Sequence, residues 1–138
     1  MKSDELKLKE VSLNDAQFLF DLLKERDPKA NISHKKMPTF TEHKKFLNSK
    51  PYSKWYIIKL QNHKVGSIYL THQDEIGIFI NKKFQSKNIG QKALLLLFKK
   101  NPRKRYLANV NPKNSKSIKF FKNNGFTLLQ YTFELDLS

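Results

Sequence analysis

At 138 residues, with 38% apolar and 12% aromatic content, the chain has the length of one domain and enough apolar material for a core. It has no cysteine, which excludes a disulfide framework, a cysteine nucleophile and thiolate-bound metal. Its net charge of +15 has two readings. One is a phosphate-rich partner: nucleic acid, an anionic membrane surface or a phosphorylated cofactor. The other is compositional bias, because lysine outnumbers arginine 24 to 3 and 12 residues are asparagine, whereas base and phosphate recognition usually enlists arginine forks.

In chain order, residues 5–11 alternate polar and apolar and predict a first strand. Ser12 then offers a helix cap with Asp15 three positions on, and Ala16, Leu19, Phe20 and Leu23 recur at helical spacing until Asp27-Pro28. "TFTE" at 39–42 matches a capping box and predicts a second helix to about Asn48. Residues 54–60, 65–71 and 75–80 read as three strands joined by tight connections, an antiparallel meander. Ile89, Ala93, Leu96 and Leu97 follow helical spacing up to Asn101-Pro102. A strand over 106–111 and a helix over 114–124 come next, with Gly125 in a C-terminal cap position. Residues 126–136 predict a last strand with Thr127, Leu129, Tyr131, Phe133 and Leu135 on one face.

The predicted order is β-α-α-β-β-β-α-β-α-β: an α/β fold with a mixed sheet, helices on both faces and a single domain over 1–138. The longest apolar run, 93–98, is far short of the ~20 residues that span a bilayer. The start "MKSDELKLKE" carries no apolar signal segment. The expectation is a cytoplasmic protein that does not engage a membrane.

The loop "QSKNIG" at 85–90 joins a strand to a helix, where backbone N–H groups can converge on one anion beside the positive end of the helix dipole. Only Gly90 is glycine; Asn88 is the next residue able to enter the left-handed region. By spacing alone this is either a phosphate cradle or an ordinary surface loop. Downstream, "NPKNSKSIKFFKNNGF" supplies Asn114, Ser117, Phe121, Gly125 and Phe126 at the spacing N-x-x-S-x-x-x-[F/Y]-x-x-x-G-F. With Gln85–Gly90 matching Q/R-x-x-G-x-G/A ahead of it, the chain resembles the GNAT superfamily of acyl-CoA N-acyltransferases.

That resemblance implies acetyl-CoA as cofactor, threaded between splayed strands 75–80 and 106–111. The backbone of Ile78 and Ile80 would bond the pantetheine arm, as a peptide augments a sheet. The pyrophosphate would sit on the N–H groups of Gln85, Lys87, Asn88, Ile89, Gly90 and Gln91. Asn114, with Ser117 nearby, would contact the cofactor arm. Asn88 departs from the family's first loop glycine. Phe121 stands where many members carry a tyrosine that protonates the departing thiolate, so the acid is unassigned. Tyr131 is a substitute candidate or a core aromatic.

Acetyl transfer needs a neutral amine and hence a base. Glu75 shares a strand face with Gly77 and Phe79, and is either that base or a solvated carboxylate. Asn109 and Asn111 could hold substrate or a catalytic water, though Asn111-Pro112 also reads as a strand-exit turn. His34 falls in the region that commonly forms the acceptor pocket in the family, and is alternatively a surface histidine. The four histidines lack metal-ligand spacing, and the chemistry needs no metal.

The function implied is acetyl-CoA-dependent N-acetyl transfer to a primary amine by direct attack in a ternary complex. A small acceptor, such as an amino sugar or its nucleotide-linked form, is expected, with a protein or peptide amine as the alternative. From other classes, an inactive CoA-binding domain and a basic nucleic-acid module remain. The module would use Tyr106, Phe120, Phe121 and Phe126 among Lys104, Arg105, Lys116, Lys119 and Lys122, but these aromatics fit a sheet core better. A monomer or homodimer is expected.

Overall fold

A computed structural model describes residues 5–26, 37–85 and 88–138. Four strands, β1 (Leu6–Glu10), β2 (Lys54–Leu60), β3 (His63–Leu70) and β4 (Ile76–Ile80), form an antiparallel sheet in that order. Four helices accompany them: α1 (Ala16–Lys24), α2 (Phe40–Asn48), α3 (Ile89–Lys100) and α4 (Ser115–Asn123). The fold is α/β with helices on both sheet faces, as the sequence predicts.

The period of two along β2 explains both faces. Tyr56 and Ile58 join Ile68, Leu70 and Ile76 in a core closed by Ile89, Ala93, Leu94 and Leu97 of α3. Ile57, between them, packs instead with Ala16 and Leu19 of α1 and Leu47 of α2. The capping box that opens α2 forms in full: the Glu42 N–H donates to Thr39 Oγ1 at 3.1 Å, and the Thr39 N–H donates to Glu42 Oε1 at 2.8 Å.

Asp15 does more than the sequence suggests. Its carboxylate accepts the Ser12 N–H at 2.8 Å, ending a short 3-10 turn, Leu13–Asp15, ahead of α1. It is also only 1% exposed, paired with Lys64 at 2.7 Å and Lys9 at 2.9 Å. Burial pushes its pKa up, but the two ammonium groups and the Ser12 N–H outweigh burial and hold it at about 2.

The two C-terminal strands of the predicted order do not form. Residues 106–111 contribute one parallel bridge, Leu107 to Glu75, and then leave β4. The Asn111-Pro112 turn that follows, with the Asn114 N–H donating to the Asn111 carbonyl at 2.8 Å, bends the chain into α4. The expected strand over 126–136 has no ladder and is exposed from Thr127 onward. Its alternation is real, but a strand exists only where a sheet edge receives it.

Candidate active site

The site is organised by where β4 and the 106–111 segment meet and part. Ahead of the meeting point, the Tyr106 hydroxyl donates to the Asn101 carbonyl at 2.6 Å, and Arg103 pairs with Asp74 at 3.0 Å. The Leu107 N–H then donates to the Asp74 carbonyl at 2.9 Å, and the Ile76 N–H donates to the Leu107 carbonyl at 2.7 Å. Beyond Ile76 no segment among the described residues pairs with this side of β4.

The register fixes which backbone groups face that gap. The Thr71 N–H bonds the Glu75 carbonyl and the Asn81 N–H bonds the Val65 carbonyl. Alternation along an antiparallel pair therefore turns the N–H and C=O groups of Glu75, Gly77 and Phe79 toward β3, and those of Ile76, Ile78 and Ile80 away from it. Ile78 and Ile80 thus present backbone toward the gap, while their side chains pack on the α3 core. The Ile80 carbonyl already accepts from Gln85 Nε2 at 3.0 Å, which ties the following loop back to the strand.

That loop runs through a short 3-10 turn, Lys82–Phe84, to Asn88, whose φ of 57° places it in the left-handed region. Asparagine tolerates this conformation better than most residues other than glycine, so the departure from the family's glycine is accommodated by the backbone itself. Asn88 makes no side-chain cap on α3. The first-turn N–H groups of Ile89, Gly90 and Gln91 have no intrahelical acceptor, and no acidic side chain stands in that turn. Gly90 has a packing reason as well: a Cβ there would lie 2.9 Å from the Phe120 ring of α4. At its start, the loop is gripped by Glu25, which accepts from Asn81 Nδ2 at 2.9 Å and from the Lys82 N–H at 3.1 Å. Lys87 lies outside the described residues, as does His34.

The opposite face of β4 brings together two residues predicted separately. Asn109 Nδ2 donates to Glu75 Oε2 at 2.8 Å across 34 residues of sequence. The other carboxylate oxygen, Oε1, accepts from the Thr71 hydroxyl at 3.2 Å. Thr71 also accepts the Gln73 and Glu75 N–H groups at 3.2 and 3.0 Å, so one hydroxyl shapes the β3–β4 turn and orients the carboxylate. Thr71 was not singled out from sequence; the signal available was a threonine four residues before the glutamate, across a turn.

Tyr69 and Tyr52 are also missed from sequence. Tyr69 pairs across the sheet with Gly77, and a Cβ on Gly77 would lie 1.9 Å from the Tyr69 ring. The ring lies over the glycine, and Tyr52 stacks on it with centroids 3.8 Å apart and planes 2° from parallel. Burial pushes both phenols up from their ordinary value, and the nearby Glu75 carboxylate adds to this at Tyr69. Both phenols therefore stay protonated. On the same strand face, Arg26 lies 4.2 Å from the centre of the Phe79 ring, its guanidinium pKa lowered by burial.

The remaining predicted residues have structural duties. Asn114 caps α4, its side chain accepting the Ser117 N–H at 3.2 Å. Asn111 accepts the Lys113 N–H at 2.9 Å in the turn before α4, as its strand-exit reading predicts. Phe121 is buried, with Phe120 and Phe126 edge-on to it at 5.2 and 5.1 Å, and offers no proton. Tyr131 projects from the exposed C-terminal segment with Phe133 as its ring neighbour, so the structure does not join it to Glu75. Among the described residues no cluster of histidine, aspartate and glutamate could hold a metal ion.

Residues 16–126 match the model of the acetyltransferase (GNAT) family. The chain belongs to that family. No functionally curated protein matches the sequence. Among solved structures, a domain from Methanocaldococcus jannaschii superposes at TM-score 0.80 and 25% identity, covering 95% of this chain and 94% of that one. An acetyltransferase from Thermus thermophilus gives 0.72 at 20% identity, with 94% and 92% covered. A ribosomal alpha-N-protein acetyltransferase in complex with coenzyme A gives 0.70 at 19%, with 91% and 81% covered. By family, this GNAT domain is an N-acetyltransferase, and the GNAT fold binds acetyl-CoA or CoA. No helix among the described residues is long and apolar enough to cross a membrane.

Proposed function

We propose that this GNAT protein transfers an acetyl group from acetyl-CoA to the primary amine of a small molecule, in a ternary complex, with Glu75 as general base. The observation that carries the reading is the Glu75 carboxylate, held by Asn109 and Thr71 where β4 and the 106–111 segment part. When bound, acetyl-CoA supplies the thioester carbon that the amine attacks, a C–N bond forming as the C–S bond breaks and the thiolate departs.

The chain's own groups account for the rest. The outward N–H groups of Ile78 and Ile80 and the Ile78 C=O hold an extended arm as an added strand would be held, and the first-turn N–H groups of α3 suit a diphosphate. Glu75 takes the ammonium proton of the acceptor, directly or through a water, and Asn109 and Thr71 hold its two oxygens in place. A thiol of pKa ~8.5 is a workable leaving group without a dedicated acid, which is compatible with phenylalanine at position 121.

For the acceptor, the stacked Tyr52–Tyr69 pair and the Arg26–Phe79 contact make a compact aromatic floor beside Gly77. Such a floor suits a small amine. Solved relatives of the same fold include a spermidine N-acetyltransferase from Vibrio cholerae (TM-score 0.70, 16% identity, 89% of this chain and 80% of that one covered) as well as the ribosomal-protein enzyme. A peptide amine is therefore the second reading. A cytoplasmic location suits either acceptor.

The test is thiol release from acetyl-CoA with a panel of polyamines, amino sugars, nucleotide-linked amino sugars and short peptides, beside calorimetry with CoA. The expected result is micromolar CoA binding and turnover on a small amine. Turnover on peptides alone would transfer the assignment to the second reading. Absence of CoA binding would overturn both.

A further inference from the structure

The carboxylate of Glu25 stands where helix electrostatics argues against one. It is half-buried and caps the C-terminal end of α1, where a cation is stabilised and an anion is disfavoured. Lys24, one residue earlier, obeys that rule. Glu25 does not.

Both of its oxygens are committed instead to a segment 56 and 57 residues further along the chain. Oε2 accepts Asn81 Nδ2 at 2.9 Å, and Oε1 accepts the Lys82 N–H at 3.1 Å. The Asn81 amide is thereby oriented with Oδ1 toward the Lys83 N–H, which donates to it at 3.0 Å. One carboxylate serves, directly or through Asn81, the first two N–H groups of the Lys82–Phe84 turn. A helical turn leaves such donors without acceptors of its own.

That turn opens the loop whose far end is Asn88 and the first-turn N–H groups of α3. The far end is held by packing: Ile89 is buried, and Gly90 lies against Phe120. The near end is held by the Asn81 N–H on the Val65 carbonyl, by Gln85 on the Ile80 carbonyl, and by Glu25. Of these three ties, only Glu25 joins the loop to a helix.

We infer that Glu25 is a positioning residue for the cofactor: it fixes the start of the 81–91 loop so that the later N–H groups converge on the diphosphate. The inference rests on the reading that this loop receives the diphosphate of acetyl-CoA. Charge and geometry here predict opposite signs. A carboxylate beside a loop that receives an anion repels it, so by charge alone its removal tightens CoA binding. A positioning carboxylate has the reverse effect, because without it the loop must be ordered at a cost to binding.

Calorimetry with CoA on the full chain, beside unfolding of the CoA-free protein, tests it. Glu25→Ala should raise the CoA dissociation constant roughly tenfold or more. Glu25→Gln keeps one acceptor and should fall between the parent and Glu25→Ala. Asp21→Asn removes an exposed carboxylate of α1 that meets Lys24 and Gln17, and should leave the constant within about twofold. In turnover, KM for acetyl-CoA should rise by a larger factor than kcat falls, and the pH profile of kcat should keep its shape. Unchanged or tighter CoA binding in Glu25→Ala overturns the inference and leaves the acetyl-transfer reading standing. So does an equal loss in Asp21→Asn, or a fall in kcat larger than the rise in KM. If Glu25→Ala does not fold, Glu25→Gln decides by the same criteria. Absence of CoA binding by the parent overturns the acetyl-transfer reading, and this inference with it.

Discussion

The β1–β4 meander and the C-terminal third are built from similar residues and behave differently. In the meander each strand has its neighbour next in sequence, the ladders are continuous but for one register shift between Ile58 and Lys59, and the interior is sealed by α1, α2 and α3. In the C-terminal third the backbone pairs once with the sheet, at Leu107, and then leaves it. The first region spends its backbone groups on stability. The second leaves the outer edge of β4 beyond Ile76 without a strand partner among the described residues, where we propose the cofactor binds.

That contrast predicts that changes at the parting point alter rate without stability, and changes inside the meander alter stability without chemistry. The largest effect is expected from Glu75→Gln. It keeps the size of the side chain and an acceptor for one of Asn109 and Thr71 but removes the base, so kcat should fall by about 100- to 1,000-fold with only a small change in melting temperature. The deficit should shrink as pH rises and the acceptor loses its proton unaided. A ratio of rates that stays flat with pH would remove Glu75 from the role of base.

Next in size is Asp15→Ala in the first region. It leaves Lys64 and Lys9 without their shared buried carboxylate and should cost about 3 kcal/mol in denaturant unfolding, with little change in kcat/KM per folded molecule. The pH dependence has a definite sign. Asp15 sits near pKa 2 when folded against an ordinary 3.8, so its contribution is fully present above 3.8 and fades as pH falls toward 2. The variant should therefore lose less stability than the parent over that interval.

Gly77→Ala probes the border between the regions, because a Cβ there meets the Tyr69 ring at 1.9 Å. Displacing the Tyr69–Tyr52 stack should cost roughly 1–3 kcal/mol and also raise KM for the amine. An effect on stability alone would separate the aromatic floor from acceptor binding. The smallest change is expected from Asn109→Ala, which frees one carboxylate oxygen at an exposed position. A fall in kcat of about tenfold, near 1.4 kcal/mol of barrier, with unfolding unaffected would sharpen the division. Loss of stability there would blur it.

Much of the chain was legible because its signals are local. The capping box at Thr39–Glu42, the period of two in the meander and the leucine face of α3 each need only neighbours within a few residues, and each appears where expected. The motifs around Gly90 and Asn114 likewise led to the family. They did not reveal that Gly90 also accommodates Phe120, or that Asn114 spends its side chain on capping α4.

By itself the sequence determined the elements through α3 and the motifs that point to the family, because each depends on interactions short in sequence. Tertiary structure alone decided that Asn109 reaches Glu75, that Asp15 is enclosed by Lys64, and that Tyr52 stacks on Tyr69. It also decided that the alternating tail does not join the sheet as a strand. These outcomes depend on which sheet edges and faces meet across long loops. Alternation says that a strand can form; it does not say which edge receives it.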